Sequence, residues 1–552
     1  MVSRKNNIRV SRSFIIIAIV LSLIAAGIIG WNLLKYKFIK GKVKSAVYEK
    51  TNGLYTIRYD KMDLDEVAGY LYVTNLKIIP DTAKFRQMAA DKKNPPLLLE
   101  LSVPELKIAG VKTPEAMLDK KISGRKLEVT NATVTFYYAK AHPDTSDAVK
   151  GEMYQQLLGS LKEIQADTVE VTNVSLAFID ISNNKKTIEA SNISVHLRDV
   201  LIDSLHSNDN TRFFFARHFR ISAERAVVKN APGTYFYIFD GVDFTNDGGL
   251  LSVQSIQIAP QLNEEKFAAF SRLQKDRFNF SFKNISLQHI NLARLMQTDI
   301  IADNLAIKES SFKVYRDLSY PRDKKSRIGS FPQQLLMNLP ITLSLKKITV
   351  SDAFIEYKEK NPKSDYSGRV QFTHANAIIS NVTNEPGMIK ADQHCVLNFN
   401  ARFLDMAPMH ARINMVLNDA KGRFTFSGSM NGFEANKLNV LMEPMGLARI
   451  EKGVVNKVDF NFAGHNYGSE GRLTMLYDDL KITLLKKDSA DDKLKKKKLA
   501  SFVANLLVKN ANPLRKQPVR VADVHYERDI NRSFFNLMWK SVYAGVKQTA
   551  GM

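Results

Sequence analysis

The sequence of 552 residues is poor in the residue patterns that build disulfides and catalytic centres. It contains one cysteine, Cys395, so no disulfide can form within the chain, and its place in an apolar alternation is typical of a buried side chain. A Gly-rich phosphate loop, a His-Glu-x-x-His pair and a Gly-x-Ser-x-Gly elbow are all lacking, and the ten histidines are scattered. The sequence therefore predicts no catalytic residue, no metal site and no cofactor.

Acidic residues are also in the minority, because 56 Asp and Glu stand against 79 Lys and Arg, a formal net charge of +23. Such an excess attracts an acidic partner, either nucleic acid or a membrane surface with anionic lipid. Residues Phe14 to Leu34 carry no charge and would form a helix ~31 Å long at ~1.5 Å per residue, enough to cross a bilayer core. This run favours a membrane partner and no nucleic acid.

The 14–34 run has two interpretations, a cleaved signal peptide or an uncleaved anchor. The apolar region of a signal peptide is usually about 7–15 residues long, so the longer run here favours a single-pass anchor. Lys and Arg flank both ends of the run, so their distribution does not indicate the orientation of the anchor in the membrane. Long downstream domains translocate largely regardless of flanking charge. We predict that the body lies outside the cytoplasm.

The alternation of apolar residues slips by one position at recurring places. Leu71 and Val73 give way to Leu76 and Ile78 across Asn75, and the tripeptide Val-Thr-Asn returns with a slip at 129–131 and 171–173. One extra residue is what a β-bulge needs, since it returns the apolar face to the same side and bends the strand. A tight hairpin is the alternative, but Asn-Gly and Asp-Gly pairs are absent from these slips, which favours the bulge.

Two stretches of the chain recur later in similar form. GYLYVTNLKIIP (69–80) returns as GLLSVQSIQIAP (249–260), and VEVTNVSLAF (169–178) corresponds to ITVSDAFIEY (348–357), both at an offset close to 180. This predicts an internal duplication, followed by a C-terminal meander. The predicted fold is mainly β, a long curved antiparallel sheet forming a U-shaped groove, with bulged strands, few helices and one N-terminal transmembrane helix. Helix candidates lie near 145–164, 262–275, 434–443, 494–510 and 530–548.

These patterns divide the chain into six predicted segments: 1–13 a short tail, 14–34 the anchor, 45–215 the first β repeat, 216–392 the second β repeat, 393–487 a C-terminal β module, and 488–552 a basic segment with amphipathic helices. The basic run KLKKKK (493–498) is either a solvated turn or a contact for anionic head groups. The last helix carries an apolar stripe that includes Phe535, Met538 and Trp539. The membrane-surface candidates are Lys495, Lys496, Lys497, Lys498 and Trp539.

Two stretches resemble a known family. They are LYTIRYDKMDLDEVAGYLYVTNLKIIPD (54–81), after the N-terminal anchor, and GRFTFSGSMNGFEANKLNVLMEPMGLARIEKGVVNKVDFNFAGHNYGSEGRLTMLYDDLKITLL (422–485). Together they resemble the opening and the C-terminal module of the AsmA-like family of bacterial envelope proteins. The resemblance implies an inner-membrane anchor, a periplasmic body, a bent apolar groove like that of chorein-type bridge lipid-transfer proteins, and a role in outer-membrane homeostasis.

Two functions fit this sequence. The first is a non-enzymatic lipid-handling protein, with phospholipids, the inner membrane and envelope proteins as partners, whose apolar β-groove holds acyl chains for lipid transport or outer-membrane homeostasis. The second is a periplasmic scaffold or assembly factor for outer-membrane proteins, with a closed sheet whose edges bind partners by strand addition. The predicted groove lining is Leu71, Val73, Val134, Phe136, Leu251, Val253, Phe460, Phe462, Leu473 and Met475.

Overall fold

The computed structural model describes residues 48–49, 51–65, 67–91, 93–111, 121–139, 162–206, 209, 211–213, 215–230, 233–487, 494–496 and 508–551. Over these residues the protein is mainly β, as the alternating apolar pattern predicts. The chain folds into two compact units. Unit 1 comprises Met1–Ile256 with Ile290–Thr298, and unit 2 comprises Gln257–His289 with Asp299–Met552.

The strands are numbered in chain order. Those of the first half are β1 Tyr55–Arg58, β2 Lys61–Asp65, β3 Tyr70–Pro80, β4 Leu98–Ala109, β5 Lys121–Thr130, β6 Thr133–Tyr138, β7 Glu163–Asp180, β8 Lys185–Asp203, β9 Ala216–Lys229, β10 Tyr235–Thr245 and β11 Leu250–Pro260. Those of the second half are β12 Arg277–Gln288, β13 Ile300–Asp317, β14 Leu343–Asn361, β15 Tyr366–Thr383, β16 His394–Phe403, β17 Ala407–Val416, β18 Phe424–Glu434, β19 Ala448–His465, β20 Gly468–Lys487, β21 Leu494–Lys496 and β22 Val521–Glu527.

The helices are short except for the last one. They are α1 Thr82–Ala90, α2 Glu264–Ser271, α3 Leu292–Met296, α4 Pro332–Met337, α5 Pro386–Ala391, α6 Asn439–Leu441 and α7 Phe534–Ala550, with single turns at Asp247–Gly249, Ala435–Leu438 and Met442–Gly446. The candidates at 262–275, 434–443 and 530–548 therefore contain helical residues. At 494–510, by contrast, the first three residues form strand β21, and most of 145–164 lies outside the described residues.

Each unit contains a run of neighbouring strands. In unit 1, β1 and β2 both pair with β3, and the order continues through β4, the β5 and β6 pair, β7, β8, β9 and β10. In unit 2, β12 to β20 pair in sequence order and β22 pairs with β20. Sequence order is the usual result when short turns join antiparallel strands.

The prediction of an entirely antiparallel sheet is wrong at one place in each unit. Strands β5 and β6 pair with β7 in parallel, with Lys121 opposite Glu163, and β13 pairs with β14 in parallel, with Ile300 opposite Leu343. A parallel neighbour needs a long crossover connection, and both pairs have one, at 139–162 and 318–342. The two parallel pairs recur at offsets of 179 (300 − 121) and 180 (343 − 163), which is the spacing of the sequence repeat.

The predicted slip at Asn173 is confirmed as a bulge, and the other slips share its backbone conformation. Asn75, Asn131, Asn173, Asn284 and Asp352 have φ angles between 48° and 58°, the left-handed region that interrupts a strand. The strand register shifts beside Asn173, Asn284 and Asp352. At Asn75 the pairing of β3 with β4 keeps its register, and Asn131 lies between the end of β5 and the start of β6. Asn and Asp tolerate this conformation better than other residues with a side chain, because their short polar groups bond locally.

Two glycines mark equivalent turns of the duplication. Gly69 has φ +63°, and a Cβ built there would lie 2.5 Å from the Val111 carbonyl oxygen. Gly249, 180 residues later, has φ +55°, and its Cβ would lie 2.7 Å from the Ile290 carbonyl oxygen. The Gly69 carbonyl accepts a hydrogen bond from the Val111 N–H, and the Gly249 carbonyl accepts one from the Ile290 N–H. The close approach of the backbone leaves no room for a side chain at either turn.

Among the described residues, none of the helices has the length and apolar content needed to span a bilayer. The predicted anchor at 14–34 lies outside the described residues.

Candidate functional site

Strands β12 to β16 of unit 2 present one apolar face, whose side chains line up across the strands. One row of paired residues on this face runs Phe280, Phe312, Ile355, Phe372 and Phe403. Paired residues point to the same side of a sheet, so this row is continuous over five strands. The ring centroids of Phe280 and Phe312 lie 5.5 Å apart, and those of Phe372 and Phe403 lie 5.7 Å apart.

A second row on the same face runs Ile307, Val350, Ala377 and Phe399. Its side chains are half-buried, as are those of Phe280, Phe312, Ile355 and Phe372, and Phe278 at one end is 39% exposed. We call these two rows, with Phe278, the apolar face. Contiguous apolar surface that remains accessible on a folded chain marks a site of interaction with lipid, ligand or protein.

A row of small residues separates the two rows at the bulges. Ala353, Ala375 and Ala401 are almost fully buried beneath Phe312, Val350, Ile355, Phe372 and Phe399. Ser310 continues the row into β13, where it is 3% exposed and its Oγ has no hydrogen-bond partner among the described residues. Ser310, Ala353 and Ala375 each follow a residue with positive φ. The bulges therefore place small side chains along the middle of the face, under the larger ones.

Polar side chains flank the apolar face at both ends of its strands. At one end Arg316, two residues beyond Val314, donates from Nε to Asp276 Oδ1 at 2.8 Å and from Nη2 to Oδ2 at 2.7 Å. Beside them the Tyr357 hydroxyl donates to Glu359 at 2.6 Å, and burial raises the pKa of Tyr357 above its ordinary value. The Arg316 side chain is only 7% exposed, so this pair is largely removed from water.

At the other end Asp303 lies between two basic side chains. Lys346 Nζ is 2.7 Å from Asp303 Oδ1, and His289 Nδ1 is 3.3 Å from Oδ2. The hydrogen bond from Lys346 lowers the pKa of the Asp303 carboxyl. Along the strand direction the face is therefore apolar in its middle and charged on both sides of the two rows, which suits a ligand with an apolar body and a polar head.

Four of the predicted lining residues lie together in unit 1, on β3 and β6. Leu71, Val73 and Val134 have an exposed fraction of 0%, and Phe136 has 5%. Strand β4 lies between them and pairs with both strands, and the four side chains offer almost no accessible surface. On β11, Val253 is buried and Leu251 is half-buried.

The other four predicted lining residues lie in unit 2 beneath α7. Phe462, Leu473 and Met475 are buried in a core that α7 covers, and Gly545 of that helix packs against Leu473. Phe460 is half-buried, with its ring centroid 6.0 Å from that of Phe426. Of the ten predicted residues, Leu251 and Phe460 keep half-exposed side chains.

The sequence predicts strands for the residues of the apolar face, but it does not distinguish them as a site. Their period-two alternation is the same as that of the buried strands in unit 1. Periodicity identifies which side chains share a face, but it carries no information about what covers that face. The alanine positions after the bulges were the one local signal available.

The membrane-surface candidates lie in different parts of the chain. The backbone of Lys495 and Lys496 forms β21, which pairs with β20, while Lys497 and Lys498 lie outside the described residues. Trp539 lies on α7 with 40% of its surface exposed. Within the residues that the structure describes, no three His, Cys, Asp or Glu side chains are placed to hold a metal ion.

Two comparisons with known proteins gave no match. No protein-family model matches the chain. No curated protein matches it either. The resemblance to the AsmA-like family stays a prediction from the sequence, and the functional proposal rests on the apolar face.

Proposed function

We propose that this protein is a non-enzymatic lipid-handling protein that holds phospholipid acyl chains against the apolar face of β12 to β16. The observation that carries the proposal is the continuous row of apolar side chains across neighbouring strands, half-buried from β12 to β15 and buried at Phe403 on β16. An accessible apolar surface of this kind is unfavourable in water, and an acyl chain would remove it from water.

The energetics favour an acyl chain as occupant. At about 25 cal/mol per Å² of apolar surface removed from water, one acyl chain would gain several kcal/mol. The longer row crosses five strands, or four spacings of ~4.8 Å, which gives ~19 Å of apolar path. The charged groups that flank this path at the strand ends, such as the Arg316 and Asp276 pair, would lie beside the acyl chain and close to a polar head.

The location of this activity is part of the same proposal. The uncharged run at 14–34 is long enough for an inner-membrane anchor, and the resemblance to the AsmA-like family supports a body in the periplasm that serves lipid transport or outer-membrane homeostasis. The net charge of +23 supports attraction to anionic lipid surfaces.

A matched pair of neighbouring residues tests the proposal. Ile355 lies on the apolar face, while Phe354 points to the opposite side of β14, where Lys313 Nζ lies 5.6 Å from its ring centroid. A photo-crosslinking residue at 355 of the full chain in its native membrane should capture phospholipid, detected by mass spectrometry. The same residue at 354 should capture much less.

Substitutions at the same two positions provide a second readout. We expect Ile355→Gln to reduce the phospholipid that co-purifies with the chain, and Phe354→Gln to leave it unchanged, since both remove similar apolar area but from opposite faces. Equal lipid content in both variants, or capture of polypeptide alone at 355, would overturn the proposal. Capture of polypeptide alone would favour the scaffold.

A further inference from the structure

The outward side of helix α7 carries exposed aromatic rings. Phe535 is 66% exposed, Trp539 40% and Tyr543 36%. They are spaced four residues apart, which places them on one side of a helix. The Trp539 and Tyr543 rings are stacked with their centroids 6.5 Å apart.

The opposite side of α7 packs on the sheet, through Phe534 and Leu537 near its start and through small residues after them. Ser541, Gly545 and Thr549 are buried, and the Ser541 hydroxyl lies 2.5 Å from that of Ser469 on β20. The helix therefore has a well-packed inner side and still leaves three large aromatic residues outside.

The charge on this helix has one sign. Its sequence, FFNLMWKSVYAGVKQTA, contains Lys540 and Lys547 and no acidic residue. The Nζ atoms of these lysines lie 5.6 and 5.3 Å from the Tyr543 ring centroid. Positive charge beside exposed Trp, Tyr and Phe is the composition of helices that lie in the interface of a bilayer.

We propose that the outward side of α7 docks on the surface of an anionic lipid bilayer, with Phe535, Trp539 and Tyr543 entering the head-group region and Lys540 and Lys547 meeting lipid phosphates. A membrane suits this surface because Trp and Tyr have an apolar body and a polar tip. The net charge of +23 gives the same preference. The docking goes beyond the acyl-chain site, because α7 covers a different part of unit 2, over β20 and β22.

The chain offers a sensitive reporter of this contact. It has two tryptophans, Trp31 and Trp539, so the full chain with Trp31→Phe emits from α7 alone. This variant, held in an amphipathic polymer, is mixed with vesicles of brominated phosphatidylcholine, alone or with brominated phosphatidylglycerol. We expect a blue shift and bromine quenching of Trp539 emission with the anionic vesicles, and much less with phosphatidylcholine alone.

Matched variants identify the residues responsible. In the same background, Phe535→Ser with Tyr543→Ser should weaken vesicle affinity by about tenfold or more. The reason is that this variant lacks two aromatic rings that would transfer from water into the bilayer. Phe270→Ser, which removes a similarly exposed ring from α2, should leave the affinity unchanged, and circular dichroism checks that each variant is folded.

Other results would overturn the docking. Absence of quenching with anionic vesicles would do so, as would a blue shift without quenching, which indicates association with protein instead of lipid. Neither result bears on the phospholipid captured at position 355, so the two proposals can fail separately.

Discussion

At the scale of single residues, the bulges depend on Asn and Asp side chains that bond across strands. Asn173 has φ +54° and its Nδ2 donates to Asn131 Oδ1 at 2.6 Å, so two bulges on neighbouring strands are joined. His374 and Asp352, on β15 and β14, form a similar contact at 3.1 Å. In each unit, such a polar contact joins two neighbouring strands at their positive-φ residues.

The conformation at Asn173 predicts an ordered series of variants. Asn173→Val should lower the free energy of unfolding by about 1–3 kcal/mol, because a β-branched residue is strained at positive φ and the side-chain hydrogen bond to Asn131 is lost. Asn173→Gly should cost less, since glycine adopts this conformation without strain. Urea unfolding of both variants tests the order, and equal midpoints would contradict it.

The single cysteine is a second residue whose chemistry follows from burial. Cys395 is 3% exposed on β16, and burial, with a smaller effect of the Asp392 carboxylate, raises the pKa of its thiol to about 11. At about pH 9, above the ordinary thiol value of ~8.5, the folded protein should keep Cys395 protonated and react slowly with iodoacetamide. The same chain unfolded in urea should react rapidly. Equal rates in the two states would contradict the burial.

At the scale of elements, α7 shows how a small residue lets a helix approach a sheet closely. Ser533 caps its start by accepting a hydrogen bond from the Asn536 N–H, and Gly551 ends it with φ +78°. Between the caps, Gly545 allows the helix backbone to approach β20 closely, since a Cβ there would lie 2.7 Å from the Leu473 Cβ.

This contact predicts that Gly545→Val destabilises the protein by about 1–3 kcal/mol through overpacking. Gln548→Val is the matched control, because it places the same β-branched residue on the exposed side of the same helix. Thermal unfolding should separate the two variants. If both melt at the same temperature, the close packing of α7 on Leu473 is not required for stability.

The parallel pairs are elements that the strand pattern did not reveal. Alternation predicts strands, but both parallel and antiparallel neighbours satisfy it when only one face is apolar. The crossover connections at 139–162 and 318–342 were the available sign, because a short turn cannot join parallel strands. Their recurrence at the repeat spacing agrees with an internal duplication.

At the scale of the whole molecule, the dominant property is charge. The net charge of +23 acts at long range, and its screening length falls from ~10 Å at 0.1 M salt to ~3 Å at 1 M. We therefore expect the quenching of Trp539 by anionic vesicles to fall several-fold over this range. Phospholipid held on the apolar face should change little, because its binding is hydrophobic. Titration of both signals with salt tests the distinction, and a parallel loss would contradict it.

The strands, the bulge positions and the amphipathic character of α7 could be predicted from sequence because each is set by residues close together in the chain. Period-two alternation, a slip at Asn173 and a polar N-cap at Ser533 act over a few residues. Whether an apolar face is covered is set by segments far apart in the chain. Leu473 is sealed by Gly545 of α7, 72 residues later (545 − 473), while Ile355 with the same alternation stays half-exposed. Burial is a property of packed neighbours, so the candidate site emerged only when the fold brought those neighbours together.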